Sequence, residues 1–261
     1  MIKNVSAVYF SPTDTTRRAV RSALRGTGLP LLWEYDCTLP ENRQEPQPAF
    51  GPETLVFVGG PVYAGRMPAL WGEWLRGLRG DGTPAVVMPV YGNRHYDDAA
   101  VELEDILTDR GFLVVAGGAF IGEHSYNEQI AAGRPNKQDL EEAEAFGAAV
   151  MKKVESGVKA LEKGVIPGSR PYIKPIPAPK NKKPTVAQNC LSCCICTNGC
   201  PTGAIDSLQQ IDERKCIMCR SCAKNCPVNA IEFGPETGFP EIAAGCMERF
   251  GKLDKENRTW L

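Results

Sequence analysis

Two runs of cysteines near the C-terminal end constrain the fold of this chain more than any other feature. The first run consists of Cys190, Cys193, Cys196 and Cys200, with Pro201 directly after it. The second run consists of Cys216, Cys219, Cys222 and Cys226, with Pro227 directly after it. Both have the spacing C-x2-C-x2-C-x3-C-P. Three cysteines of a run share one tight loop, so a fourth thiol must reach their common centre from elsewhere.

This spacing is typical of a pair of 4Fe-4S clusters, in which the fourth cysteine of each run binds the cluster held by the other run. We therefore expect one cluster on Cys190, Cys193, Cys196 and Cys226. We expect the other on Cys216, Cys219, Cys222 and Cys200. Structural zinc is the inorganic alternative, but zinc sites usually pair two short cysteine hooks across a longer spacer. Cys194 is interpreted as a neighbour of the ligands, with a ligand swap with Cys193 left open.

The two runs belong to an internal repeat. Residues 190–205 align with residues 216–231 at an offset of 26, and seven of the sixteen aligned residues are identical. Such a duplication predicts a small two-fold α+β domain of the bacterial dicluster ferredoxin type. A unit this small buries little apolar area, so we expect the clusters to hold its fold together.

Charge and composition exclude several classes of function. The formal charge of −1 counts cysteines as neutral, and each oxidised cluster with four thiolates adds about −2. The loaded protein is therefore acidic, which disfavours nucleic-acid binding. No run of about 18 apolar residues predicts a membrane span. The N-terminus has no export-signal pattern and the cysteines suit a reducing compartment, so we expect a cytoplasmic protein.

The N-terminal part alternates apolar runs with helical patterns. The apolar runs are residues 5–10, 30–35, 54–59, 84–91 and 112–119, and the helical patterns are residues 15–24, 67–78, 97–109 and 137–163. This alternation predicts an α/β fold with helices on both faces of a parallel sheet. Five strands in so short a stretch favour a flavodoxin-like, doubly wound five-stranded sheet. The stretch between the second and third runs is rich in proline, and we expect a loop or very short helix there.

Composition divides the chain into four parts. We expect an α/β domain at 1–163, a linker at 164–184, the ferredoxin domain at 185–234 and a tail at 235–261. The linker holds six prolines, and no acidic residue occurs from 163 to 205. We interpret it as a solvated tether stiffened towards polyproline II, with a docked strap as the alternative. The tail has a weak helical pattern at 241–253 and no predicted packing partner.

Three loops follow strands at the edge where open α/β sheets bind ligands. The first, residues 11–16, reads SPTDTT and leads into a helix. Hydroxyls and free backbone N–H groups at a helix N-terminus suit a phosphate, although such a cluster is often only a helix cap. The second loop, 59–68, reads GGPVYAGRMP and the third, 91–98, reads YGNRHYDD.

These loops carry a family resemblance. The Ser-x-Thr-x-x-Thr pattern of the first loop resembles the FMN-phosphate loop of flavodoxins. The segments at 61–65 and 91–93 resemble the two loops that flank the flavin ring in that family. Together with the cysteine runs, the chain resembles flavodoxin–ferredoxin fusion proteins of anaerobic prokaryotes over about residues 3–160 and 188–233. It departs from the pattern at Asp14, where many flavodoxins have glycine, and at Pro12, which has no N–H.

The resemblance implies a set of FMN-binding residues. Those for the phosphate are Ser11, Thr13, Thr15 and Thr16. Those around the ring are Pro61, Val62, Tyr63, Ala64, Gly65, Tyr91, Gly92, Asn93, Arg94 and Tyr96. Tyr63 and either Tyr91 or Tyr96 would flank the ring, and Gly65 and Gly92 would let the backbone approach. Asn93 and Arg94 would bond to the pyrimidine edge.

Three functional hypotheses stay open on the sequence alone. The first is an electron-transfer protein that relays electrons between two 4Fe-4S clusters and FMN and exchanges them with redox partner proteins. The second is a cluster-fed flavin reductase, with Tyr96, His95, His124 and Glu123 as candidate proton donors. The third is a docking module whose α/β half has lost its flavin, a hypothesis that the acidic Asp14 supports.

Overall fold

The computed structural model describes residues 1–43, 46–177 and 181–261. Its strands are β1 Asn4–Tyr9, β2 Leu31–Asp36, β3 Ala49–Phe50, β4 Thr54–Pro61, β5 Arg79–Gly80, β6 Thr83–Tyr91, β7 Phe112–Ile121, β8 Thr185–Val186, β9 Ile231–Glu232 and β10 Arg258–Trp260. Its helices are α1 Thr15–Gly26, α2 Ala69–Leu75, α3 Ala99–Asp109, α4 Lys137–Glu155, α5 Ile195–Asn198, α6 Ser221–Lys224 and α7 Phe239–Phe250. Two short 3-10 turns lie at Pro40–Asn42 and Pro235–Thr237.

The main sheet has the strand order β2-β1-β4-β6-β7-β10. The five long strands are parallel to their neighbours. Numbered among themselves, they run 2-1-3-4-5, which is the flavodoxin-like doubly wound order. The predicted fold class is confirmed.

Helices cover both faces of this sheet because its strands are apolar on both sides. One core packs α1 and α4 on the sheet, with Val20 and Phe146 among its members. The other packs α2 and α3 on the opposite face, around Trp71 and Leu103. Helices α1 and α4 approach so closely that a Cβ at Gly147 would lie 1.8 Å from the carbonyl oxygen of Ala23. Glycine at that position therefore permits the contact.

The tail supplies a sixth strand that the sequence did not predict. Strand β10 pairs antiparallel with β7, and Trp260 lies opposite Gly117. The indole also packs on Tyr96, with 5.5 Å between ring centroids. Gly117 leaves room for the indole ring, since a Cβ at this position would lie 2.9 Å from the Trp260 side chain.

Two predicted elements differ in length or kind. Helix α4 ends at Glu155 rather than at residue 163, because Gly157 follows with a φ of 138°. The chain then returns to the sheet, where the Leu161 N–H donates to the Val114 carbonyl at 2.8 Å. Between β2 and β4 the structure has the short turn Pro40–Asn42 and the two-residue strand β3; residues 44 and 45 lie outside the described residues.

The described part of the linker is a docked strap rather than a solvated tether. Both carboxylate oxygens of Asp98 accept backbone N–H groups from it, those of Ser169 at 2.9 Å and Ile173 at 2.8 Å. Arg170 forms ion pairs with Glu104 and Asp105 on α3. The preference for a tether was wrong for residues 164–177, because the acidic start of α3 neutralises the basic strap. Residues 178–180 of the predicted linker lie outside the described residues.

The cysteine region folds as the repeat predicts. Helices α5 and α6 occupy equivalent positions, and β8 pairs antiparallel with β9. Positive φ angles recur at the same offset of 26, at Ser192 and Met218, and at Cys194 and Arg220. The duplicated sequence therefore has a duplicated backbone. Among the described helices, none is long and apolar enough to cross a membrane.

Candidate iron–sulfur centres and ligand loops

The eight cysteines of the two runs divide between two cavities. One cavity is lined by Cys200, Cys216, Cys219 and Cys222. The other is lined by Cys190, Cys193, Cys196 and Cys226. Each cavity thus combines three cysteines of one run with the last cysteine of the other. This is the donor set that a 4Fe-4S cluster requires.

The backbone around each cavity orients the thiols. The N–H groups of Ala204 and Ala230, at equivalent positions, donate to the sulfurs of Cys200 at 3.2 Å and Cys226 at 3.1 Å. Hydrogen bonds to ligand sulfur are one of the means by which a protein sets a cluster potential. Within the described residues, no three Cys, His, Asp or Glu side chains converge closely enough to hold a single metal ion.

Burial makes the thiolates of the second run unfavourable without a cation. Burial raises the pKa of Cys222 to about 12 and raises that of Cys219 further. Iron must displace these protons, because only the thiolate is a metal ligand. Cluster binding and burial are therefore coupled at this site.

The first ligand loop carries an unsatisfied buried hydroxyl. Thr16 is fully buried, and its Oγ1 has no hydrogen-bond partner among the described residues. The Ser11 hydroxyl is already engaged, because it accepts the Arg17 N–H at 3.0 Å. Buried polar groups are rarely left unpaired, so the Thr16 hydroxyl at the start of α1 fits an anionic group of a ligand. Thr13 and Thr15 lie beside it in the same loop.

Asp14 does not place its charge in this loop. Its φ of 67° is left-handed, a conformation that favours glycine. Its carboxylate points outward and pairs with Arg17 at 2.5 Å, with both side chains about half exposed. The departure from the flavodoxin pattern is therefore compatible with an anion at Thr16.

The second loop brings Tyr63 to the cysteine region. Residues 63–66 form a tight hairpin in which the backbones of Tyr63 and Arg66 exchange two hydrogen bonds, across Ala64 and Gly65 with positive φ. Burial raises the pKa of Tyr63 well above its usual range, and the neighbouring thiol of Cys219 adds to the shift. Pro61 and Val62 lie at the end of β4 beneath this hairpin. Tyr63 thus lies at the edge of the sheet, within electrostatic range of Cys219.

The tail contacts the third loop, where part of the ring site is predicted. The Asn93 amide donates to the Leu253 carbonyl at 2.7 Å, and Arg94 is paired with Asp97. Tyr91 donates its hydroxyl to the Glu256 carbonyl at 3.1 Å, and Tyr96 is buried between Tyr91 and Trp260. The tail thus engages the Asn93 amide and the Tyr91 hydroxyl and packs on Tyr96. The roles of Asn93, Arg94 and Tyr96 toward a flavin ring stay predictions. Gly92 packs against His124, where a Cβ would lie 2.8 Å from the imidazole.

The candidate proton donors are poorly suited to that role. Burial lowers the pKa of His124 to about 4, so the ring is neutral near pH 7. Lys224 pairs with Glu123 at 2.7 Å and helps to lower the pKa of that carboxyl despite its burial. His95 accepts the Asp97 N–H at 2.8 Å and stacks on Tyr96.

Sequence reasoning missed the residues that join the two halves. Arg43 donates to the Pro201 carbonyl at 2.7 Å, next to the ligand Cys200. Arg220 donates to the Ser125 carbonyl at 3.0 Å and lies over the Phe239 ring. The repeat held a signal for Arg220, since Cys194 occupies the equivalent position in the first run. A basic residue that is present in only one half of a repeat indicates a contact that the other half does not make.

Comparison with known protein families agrees with an iron–sulfur region at the second cysteine run. Residues 210–232 match the family described as 4Fe-4S binding domain. Comparison with curated proteins gives no match.

Several solved structures are similar in fold to the α/β part. They include a flavodoxin from the domain Archaea, at 14% identity, a TM-score of 0.41, and coverage of 58% of this chain and 99% of that chain. Flavodoxin 2 from Bacillus cereus matches at 15% identity and a TM-score of 0.41, over 57% of this chain and 99% of that chain. The Flv1 flavodiiron core from Synechocystis sp. PCC6803 matches at 16% identity and a TM-score of 0.41, over 59% of this chain and 36% of that chain. The chain thus spans about a third of that core.

The strand order and the family match define a class. The chain joins a flavodoxin-like α/β domain to an iron–sulfur region, as in a flavodoxin–ferredoxin fusion. At least one 4Fe-4S site belongs to it. This combination supports a role in electron transfer.

Proposed function

We propose that the protein relays electrons between two 4Fe-4S clusters and an FMN, and so connects one-electron carriers with two-electron chemistry. When bound, a cluster exchanges one electron and a flavin exchanges one or two. The residues proposed to hold the clusters are the two crossed sets of four cysteines. Those proposed for FMN are the loop at 11–16 and the hairpin at 61–65.

The packing of Ile217 against the core of the α/β domain carries this proposal. Ile217 lies between Cys216 and Cys219, two ligands of a predicted cluster, and Val62, at the carboxyl end of β4 where such sheets usually bind ligands, packs against the same core. Two redox sites on separate domains exchange electrons usefully only when the domains are held together. The docked strap and the cations at the domain junction supply that constraint.

The phosphate end of FMN fits the first loop. The unpaired Thr16 hydroxyl provides a donor, and the start of α1 favours negative charge. The Asp14 carboxylate points away from the loop and pairs with Arg17. These observations favour a bound flavin over a docking module that has lost it.

The reductase hypothesis receives less support. A reductase needs a proton donor near the substrate, yet His124 is neutral near pH 7 and Glu123 is ionised by its pairing with Lys224. The tail also covers Tyr91 and Tyr96. We therefore prefer a carrier to an enzyme with its own small substrate.

Iron and flavin counts on anaerobically purified protein test the proposal. About eight irons and one FMN per chain are expected, with an absorbance spectrum showing both chromophores. Iron without flavin, after incubation with excess FMN, would reject the relay in favour of the docking module. About four irons would reject the two-cluster arrangement.

A further inference from the structure

The two halves of the repeat share a backbone but differ in exposure. In the first run, Leu191 is 64% exposed and Ile195 is 44% exposed. Their equivalents in the second run are Ile217, which packs against the core of the α/β domain, and Ser221, which is 3% exposed. The duplicated local structure therefore does not determine this difference, and the packing of the domains does.

The central cysteines show the same contrast. Cys193 is exposed, whereas the equivalent Cys219 is 8% exposed and the preceding Met218 is 1% exposed. Ile217, two residues before Cys219, packs against the core of the α/β domain, so this side of the second cavity is shielded. Cys193, in contrast, is exposed.

Three cations fix this orientation. Arg43 binds the Pro201 carbonyl, Arg220 binds the Ser125 carbonyl, and Lys224 pairs with Glu123. Pro201 and Arg220 line the cavity of Cys200 and the second run, and Lys224 lies on helix α6 of the second run. The positions equivalent to Arg220 and Lys224 in the first run hold Cys194 and Asn198, which carry no positive charge. The contacts of Arg220 and Lys224 are thus specific to the second half of the repeat.

We infer that the two cluster sites are ordered. The site formed by Cys200 and the second run is the inner one, which faces the α/β domain through Ile217. The site formed by Cys226 and the first run is the outer one, at which an external one-electron carrier protein exchanges electrons with this chain. Each exchange there moves one electron, so the carrier is oxidised as the outer cluster is reduced, or the reverse. The inference rests on the proposed clusters but holds whether or not a flavin is bound.

Solvent access to each reduced cluster tests the order. The full-length protein is reduced anaerobically with dithionite, and the spin relaxation of its cluster signals is measured by EPR with and without a water-soluble dysprosium chelate. Cys193→Ser and Cys219→Ser identify which signal belongs to which site. We expect the chelate to accelerate relaxation several-fold more for the signal altered by Cys193→Ser. Equal acceleration of both signals, or greater acceleration of the other, would overturn the order.

A matched pair of substitutions tests whether docking creates the difference. Ile217→Ser should expose the inner cluster to the chelate, whereas Leu191→Ser, at the equivalent position, should leave the inner cluster shielded. If Ile217→Ser fails to fold, Arg220→Ala removes a junction contact without altering the apolar packing, and the same gain in access is expected. Unchanged access in both junction variants would show that docking does not shield the inner site.

The contact with an external carrier is tested with the basic protein cytochrome c as oxidant. Leu191→Lys places a positive charge beside the outer site, so electron transfer to cytochrome c should slow several-fold. The control is Leu32→Lys, which adds the same charge to a residue of similar exposure on the edge strand β2. Equal rates for the two variants would contradict the assignment of the outer site. The rates of the two variants can also be compared in protein without bound flavin, so the result does not depend on the number of flavins per chain.

Discussion

At the scale of single residues, Thr16 links the sequence pattern to a ligand. Its side chain is fully buried at the start of α1, and the hydroxyl has no partner among the described residues. A buried hydroxyl without a hydrogen bond destabilises the folded chain. We propose that a ligand group completes the hydrogen bonding of this threonine.

Replacement of Thr16 by valine separates this role from a structural one. We expect Thr16→Val to weaken FMN binding by about tenfold or more, because a hydrogen bond to a charged group contributes about 1.5–3 kcal/mol. Riboflavin, which lacks the phosphate, should bind both proteins equally. Calorimetric titration measures both affinities. The ligand-free variant should be as stable as the parent or more so, and a loss of stability would indicate a structural hydroxyl instead.

His124 gives the protein a dependence on pH. Its folded pKa is about 4, against about 6.5 for an unperturbed histidine. Between these values the unfolded chain binds a proton that the folded chain excludes, so stability falls as the pH is lowered through this window. The loss approaches about 3 kcal/mol near pH 4.

The comparison of His124→Asn with the parent isolates this contribution. Urea unfolding followed by circular dichroism at pH 7 and pH 5 should show a smaller loss of stability in the variant. His95→Asn is the control, because it removes the other histidine from a half-exposed position. Identical pH slopes for the parent and His124→Asn would contradict the prediction.

At the scale of elements, one buried ion pair joins a loop, a helix and the strap. Both carboxylate oxygens of Glu102 on α3 accept hydrogen bonds from the Arg66 guanidinium at 2.9 Å. The same guanidinium donates to the Lys174 carbonyl of the strap at 2.6 Å and lies over the Tyr172 ring. The hairpin that presents Tyr63 is thereby anchored through its neighbour Arg66.

Removal of the Glu102 charge should release this junction. We expect Glu102→Gln to destabilise the protein by about 3–5 kcal/mol, because it leaves the buried Arg66 without a counter-charge. Urea unfolding measures the change. Glu53→Gln, which breaks an exposed pair with Lys3, should leave the unfolding midpoint unchanged. Equal effects of the two substitutions would show that burial of the pair does not matter.

At the scale of the whole molecule, the iron–sulfur region is inserted between two segments of the α/β domain. The strap precedes it, and the tail that follows returns to pair β10 with β7. The tail also covers the third ligand loop through Asn93 and Tyr91. The two halves are therefore tied at both ends of the inserted region.

The crossed cysteine sets predict which cluster each substitution harms. Cys200→Ala should damage the cluster of the second run, and Cys226→Ala, its equivalent, should damage that of the first run. The reason is that each of these residues lines the cavity of the other run. EPR of the reduced protein distinguishes the two losses. Loss of the cluster nearest in sequence in either variant would refute the crossed assignment.

The sequence by itself determined the two cysteine sets, the repeat and the parallel sheet. These depend on spacing and on apolar periodicity, which are local properties. It did not indicate that the tail would contact Asn93, because a pattern of loop residues does not reveal that a segment more than 150 residues later binds the same group. Likewise, basic residues in the strap did not indicate which acids on α3 would pair with them.

Only the tertiary structure decided how the two cysteine runs differ. Their sequences are related and their backbones repeat, and the cysteine spacing alone does not distinguish an inner from an outer site. Docking buried Cys219 and left Cys193 exposed. Burial depends on which surfaces meet, and that is a property of the assembled chain rather than of any segment within it.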